Sequence, residues 1–211
     1  IPSCGVFYLY TQYEPADCRR VFPNFEQPDL KAVFNFRITA PRDWVVSSNG
    51  VLESEVSDPT DSNIVKRVFA PTERISTYIT AVLAGEYFTV TDTYKPQSIT
   101  NSGDIPLVAY CRHSLKPHFD YDNIFRVTKN GLDFFQDLFD YPYPYPKYEQ
   151  AFVPEYNIGA MENPGLVTFT EDFIFVSGAT EDDLEGRANT ICHEMAHMWF
   201  GDLVTMKWWD D

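Results

Sequence analysis

The chain has 211 residues, 44% of them apolar and 16% aromatic, which is enough to bury one or two cores and too much for a disordered polymer. Its 31 acidic against 16 basic side chains give a formal charge of -15, which repels phosphate backbones and anionic membrane surfaces and makes nucleic acid a poor partner. No run of about 18 apolar residues occurs, and residues 1–30 lack a basic segment followed by an apolar stretch, so none of these residues is expected to cross or target a membrane.

Between about Gly5 and Val90, β-branched and aromatic runs at 32–39, 44–47, 64–69 and 78–84 alternate with turn clusters, a pattern that predicts antiparallel sheet and few helices. The clusters Pro41-Arg42-Asp43, Ser48-Asn49-Gly50 and Ser57-Asp58-Pro59 supply the restricted and permissive φ values that tight turns need. The character changes after about Thr91, where a second domain is expected to begin. There Tyr121, Ile124, Phe125, Thr128, Leu132, Phe135 and Leu138 recur at helical spacing. The Tyr-Pro alternation at 141–146 reads as a stiff surface connection rather than a ligand for an aromatic groove. A strand is expected over 166–176, and a helix over about 181–200. Thr180 is its N-cap, Asp183 stands three residues on, and Glu181 and Asp182 place negative charge at its positive end. The fold class is therefore α+β, with an antiparallel β-rich domain over 1–90 and a second domain over 91–211 that carries the helix.

On that helix lies His193-Glu194-Met195-Ala196-His197. Four residues turn a helix by about 400 degrees, so the two imidazoles project from one face and can grip one ion together. Glu194 points about 100 degrees away from His193, which lets its carboxylate stand beside the metal as a general base. Zinc suits neutral imidazole with carboxylate, and a three-ligand site leaves a position open for water. Ile191, Met195 and Trp199 are expected to bury the back of the helix. His113 and His118 read as surface residues approaching a helix, and Cys192 as a small buried apolar residue. Cys4, Cys18, Cys111 and Cys192 are too far apart for a zinc knuckle or a disulfide scaffold, which points to a reducing, cytoplasmic setting.

With this helix go two further stretches, Thr11-Gln12-Tyr13-Glu14-Pro15-Ala16-Asp17 and Gly159-Ala160-Met161-Glu162-Asn163, and the run from His193 through Gly201-Asp202-Leu203-Val204-Thr205-Met206 to Trp209. In this order they resemble the aminopeptidase N family of zinc metallopeptidases, the gluzincins, and residues 14–20 and 27–31 are similar to actinobacterial members. The resemblance implies a thermolysin-like catalytic domain and a peptidase that releases N-terminal amino acids by attack of a zinc-bound water. His193 and His197 would be zinc ligands and Glu194 the catalytic base. Gly159, Ala160, Met161, Glu162 and Asn163 would form the exopeptidase signature, in which Glu162 holds the substrate's free amine. Gln12 and Glu14 would reach the same amine from the N-terminal domain, and Ile158 would line the first side-chain pocket.

In that family the third zinc ligand is a Glu downstream of the second His, which would fall beyond Asp211. The chain, opening at Ile1 without an initiator Met, is accordingly expected to be an internal piece that holds zinc weakly and is inactive alone, with apolar surface exposed near Trp208 and Trp209. Two other functions share parts of the pattern: a leukotriene-type epoxide hydrolase, which has Gly-Gly where this chain has Gly159-Ala160, and a non-catalytic scaffold paralogue. Peptides with a free N-terminus are the expected partners.

Overall fold

The computed structural model describes residues 2–3, 5–96 and 103–211. Cys4, one of the four cysteines weighed above, lies outside them. The strands in chain order are β1 (Pro2–Ser3), β2 (Val6–Tyr10), β3 (Arg37–Pro41), β4 (Val45–Ser48), β5 (Leu52–Ser57), β6 (Ile64–Phe69), β7 (Val82–Gly85), β8 (Tyr87–Tyr94), β9 (Ile105–Arg112), β10 (Tyr148–Val153), β11 (Ala160–Met161) and β12 (Val167–Thr170), with helices α1 (Tyr121–Phe139) and α2 (Glu181–His197).

Strands β1-β2-β7-β4 and β3-β6-β5 form two antiparallel sheets, as the alternating pattern predicts. The third sheet, β11-β12-β10-β9-β8, is mixed: β9, β10 and β12 run parallel, and an antiparallel strand closes each side. Parallel strands need covered faces, and every residue of β10 is buried. By contrast β5, at the edge of its sheet, is exposed throughout and carries the charges that keep an edge from pairing.

The main core gathers Leu107, Ala109, Phe152, Val167 and Phe169 from the mixed sheet with Ile124, Phe125 and Leu132 of α1 and Ile191 and Met195 of α2. A second core joins the first antiparallel sheet to the mixed one through Tyr8, Ala81, Leu83, Tyr87, Tyr110, Ala151, Val153 and Leu166. A buried polar cluster reinforces that junction. Lys147 Nζ lies 2.9 Å from Glu149 and donates to Ser48 O at 2.7 Å, while Ser47 and Tyr110 donate to the other Glu149 oxygen.

The boundary expected at 90/91 falls inside β8, all of which belongs to the mixed sheet. Other expectations need correction. The run 32–39 contributes only a bridge at Ala32 and the start of β3. Residues Thr77–Ile79 wind into a 3-10 turn and do not extend β7, and the strand expected over 166–176 is only β12, because the Thr170 side chain caps a 3-10 turn at Glu171–Phe173. In the Tyr-Pro segment, Tyr143 and Tyr145 are buried in the main core, so the segment is a core element with its prolines outward. Helix α2 stops at His197 instead of 200, and Cys192 is half-buried. His113 and His118 are exposed in a 3-10 turn before α1. Among the described residues no helix is long and apolar enough to cross a membrane.

Candidate metal centre and amine-binding cleft

Helix α2 begins with a reciprocal cap: Thr180 Oγ1 accepts from Asp183 N, and Asp183 Oδ2 accepts from Thr180 N at 2.9 Å. Its inner face is Arg187, Ile191 and Met195, continued by Met198 and Trp199. Arg187 is buried against Asp120 and Asn123, at 2.8 and 3.0 Å, so one cation ties α2 to the start of α1. With the apolar face fixed, the opposite side presents His193, exposed, and His197, half-buried.

The two Nε2 atoms stand 3.2 Å apart. Two nitrogens each about 2.0–2.1 Å from a tetrahedral zinc lie roughly 3.3 Å from one another, so the pair has the separation that one zinc requires. His197 Nδ1 lies 2.9 Å from the Phe200 carbonyl. A carbonyl only accepts, so Nδ1 carries the proton and Nε2 offers its lone pair toward His193, the tautomer that a metal ligand needs.

Glu194 is buried beside these rings, as its offset on the helix predicts. Burial, then the charges of Glu162 and Glu14, push its carboxyl up to about 8. Glu162 follows β11 and is also buried; one ligand atom each of Glu162, Glu194 and His197 all lie within 4.8 Å of one another. Tyr78, from the 3-10 turn on the N-terminal side, donates to Glu162 Oε1 at 3.3 Å. Glu14 stands at the rim. Partial enclosure of its carboxylate and then Glu162 raise its pKa, while His197 lowers it. Three carboxylates this close repel one another unless positive charge joins them, and the donor set of two imidazoles with flanking carboxylates fits a divalent ion such as zinc.

The signature segment lies along the end strand of the mixed sheet. Ala160 pairs with Phe169 and Met161 with Thr168, and Thr170 N donates to Gly159 O at 2.9 Å. Gly159 is exposed, Ala160 half-buried, and Met161, Glu162 and Asn163 are buried. Ile158 is half-buried against the main core. An end strand offers backbone groups to an extended peptide. The following turn is pressed onto Asn49, whose Nδ2 donates to Pro164 O at 2.9 Å. Gly165 has φ +75, and a Cβ there would come 2.4 Å from the Asn49 carbonyl, so only glycine fits.

The structure thus brings His193, Glu194, His197 and Glu162 together, with Glu14 near enough for its charge to act on Glu194. Gln12 joins by relay: Tyr156 donates to Gln12 Oε1 at 3.3 Å, and the Tyr156 hydroxyl lies 2.8 Å from Thr168 Oγ1, which accepts from Asn163 at 3.4 Å. Tyr78, Tyr156 and Thr168 have no local motif, and sequence reasoning missed them.

Residues 5–79 match the Peptidase M1 N-terminal domain, and residues 124–211 match the Peptidase family M1 domain. The chain is 52% identical over 204 residues to an aminopeptidase N of Streptomyces lividans, which covers 97% of this chain and 22% of that relative. It is 36% identical to the Homo sapiens aminopeptidase N, over 95% of this chain and 20% of the relative, and 32% identical to the Rattus norvegicus glutamyl aminopeptidase over the same shares. The chain therefore spans about a fifth of the length of these relatives.

Proposed function

This chain belongs to peptidase family M1, and we propose that it supplies much of the active site of a zinc-dependent aminopeptidase that removes N-terminal residues from peptides. The observation that carries this reading is the meeting of the His193–His197 pair with the buried carboxylates of Glu194 and Glu162. A zinc ion held by His193 and His197 would supply a Lewis acid and a water acidic enough to ionise near neutral pH.

Glu194 is the general base: its carboxylate takes a proton from the attacking water and returns it to the departing amine. The Glu162 carboxylate, oriented by Tyr78, and the Glu14 carboxylate at the rim hold the terminal ammonium, and Gln12, held by Tyr156, assists them. An internal peptide has no ammonium to offer, so the same charges exclude it. Gly159, Ala160 and Met161 guide the substrate backbone along the sheet edge, and Ile158 borders the first side-chain pocket. Two imidazoles hold a metal less tightly than three ligands, so residues 1–211 by themselves are proposed to bind zinc weakly and to turn over little. We place the protein in the cytoplasm, on the wide spacing of its cysteines.

The test is hydrolysis, by the whole polypeptide, of paired peptides that differ only in a free or acetylated N-terminus, with and without a zinc chelator. Cleavage of the free peptide alone, abolished by the chelator, supports the proposal. Equal cleavage of both removes the amine anchor, and no cleavage of either removes the enzyme reading.

A further inference from the structure

Lys31 lies outside the motifs that point to the active site, yet it reaches the end of the metal-binding helix. Its backbone is fixed in the N-terminal region by the reciprocal bonds of Ala32 with Ile75, 3.0 Å each, and by Arg74, whose Nη2 donates to the Lys31 carbonyl at 3.0 Å. From this anchor Nζ donates to the carbonyl of Asp202 at 2.5 Å and to that of Leu203 at 3.1 Å.

Those carbonyls belong to a turn that folds back on the end of α2. Asp202 N donates to His197 O at 2.9 Å, Val204 N to Trp199 O at 3.0 Å, and Gly201 N to Val204 O at 2.8 Å. The turn meets the His197 ring at Nδ1. Phe200 O takes the Nδ1 hydrogen, and Gly201, at φ +133, lets the backbone approach so closely that a Cβ would stand 3.0 Å from Nδ1. An ammonium suits this place because two backbone carbonyls converge on it and accept its hydrogens. The Asp202 side chain is buried, and burial pushes its carboxyl well above the ordinary range, so the two carbonyls and not a carboxylate charge hold the Lys31 ammonium.

We propose that Lys31 is a positioning residue of the metal site, which couples the N-terminal region to the orientation of His197 through the 200–205 turn. The proposal rests on His193 and His197 being the zinc ligands. A lost outer partner of a metal ligand costs about 10–100-fold in metal affinity or activity.

The experiment follows zinc release from the whole zinc-loaded polypeptide to a chromophoric chelator, alongside thermal midpoint, kcat and KM. It compares Lys31→Met and Lys31→Arg with Ser47→Ala, which loosens the junction at a different point. Lys31→Met is expected to release zinc about 10-fold faster and to lose kcat with little change in KM, Lys31→Arg to restore most of both, and Ser47→Ala to lower the midpoint without faster release. Lys31→Gln, which keeps a donor on a shorter stem, carries the same comparison if the Met variant does not fold. Release from the Lys31 variants no faster than from Ser47→Ala overturns the proposal and leaves the zinc site standing. A wild-type protein that retains no zinc removes the site and the role of Lys31 together.

Discussion

Tyr78 donates its phenol hydrogen to Glu162 Oε1 at 3.3 Å, from the 3-10 turn before β7 to the residue that follows β11. Its ring is 2% exposed and stands edge-on to Trp209, with centroids 5.0 Å apart, so neither rotation nor solvent relaxes the bond. Burial and then the Glu162 charge push the phenol far above its ordinary range, which keeps it a donor at working pH. Tyr78→Phe keeps the ring and removes the donor. A hydrogen bond to a charged group is worth about 1.5–3 kcal/mol, and this long one belongs at the low end, so KM should rise about 10-fold with kcat nearly unchanged. Unchanged steady-state kinetics would mean that Tyr78 only fills space.

Glu162 itself meets a stronger test. Glu162→Gln keeps the shape and an acceptor but loses the charge that an ammonium needs. Truncating one partner of a buried charge pair costs about 2–5 kcal/mol, so kcat/KM on free peptides should fall by at least about 30-fold. The same substitution should leave inhibition by an N-acetylated peptide within about twofold of wild type. Equal losses for both peptide classes would show that Glu162 serves the fold or the metal and not the amine.

Much of this site is legible in the sequence because its chemistry is local. The spacing of His193 and His197 fixes their common face, and Thr180 with Asp183 announces the helix start, so the start of α2 and the pairing of its imidazoles follow from sequence spacing alone. Strand β6 and helix α1 follow equally from period 2 and period 3.6. The failures share a physical cause. Tyr78 reads as a strand residue because its aromatic character favours β structure, but its hydroxyl is drawn to Glu162, 84 positions away. Tyr143 and Tyr145 read as surface because of their prolines, while the rings fill the core under α2. Lys31, Asn49, Lys147 and Arg187 are single polar residues whose partners lie far along the chain, and periodicity carries no information about such pairs.

The buried ion pair at the junction gives a stability prediction. Lys147, 3% exposed, is held by Glu149, Ser47 and Ser48. Lys147→Met leaves the Glu149 carboxylate with hydroxyl donors alone and should cost about 3–5 kcal/mol, read as a lowered urea midpoint. Adding Glu149→Leu should recover part of the loss, because the stranded charge is then gone. A double variant weaker than the single by the full cost of a second substitution would show that packing and not charge dominates.

The cap of α2 sets a pH dependence. Hydrogen bonds from the Thr180 side chain and then its backbone lower the Asp183 carboxyl below its ordinary value. A group depressed in the folded state stabilises it above its unfolded pKa, and the contribution is lost as pH falls through the folded value. Amide exchange in the first turn of α2 should therefore hold steady down to the ordinary carboxylate range and lose protection below it, beyond the intrinsic slowing of exchange in acid. Thr180→Ala should remove that dependence. Protection in wild type that stays level to the acid limit would show that packing, not the cap, holds the turn.

Glu194 separates binding of the metal from chemistry. The residue is buried next to His193 and His197, and its carboxylate lies near that of Glu162. Glu194→Gln keeps the volume and an acceptor oxygen, and it relieves a repulsion among the three carboxylates, so zinc content should stay at the wild-type level. The amide cannot take a proton from water or return one to the leaving amine, so kcat should fall by about 10²–10⁴ while KM moves little. Zinc content and kcat are measured on the same preparation. If both fall together, Glu194 acts as a ligand or a structural group. If zinc stays and kcat stays, another group is the base, and Glu14, whose charge acts on Glu194, is the one to substitute next.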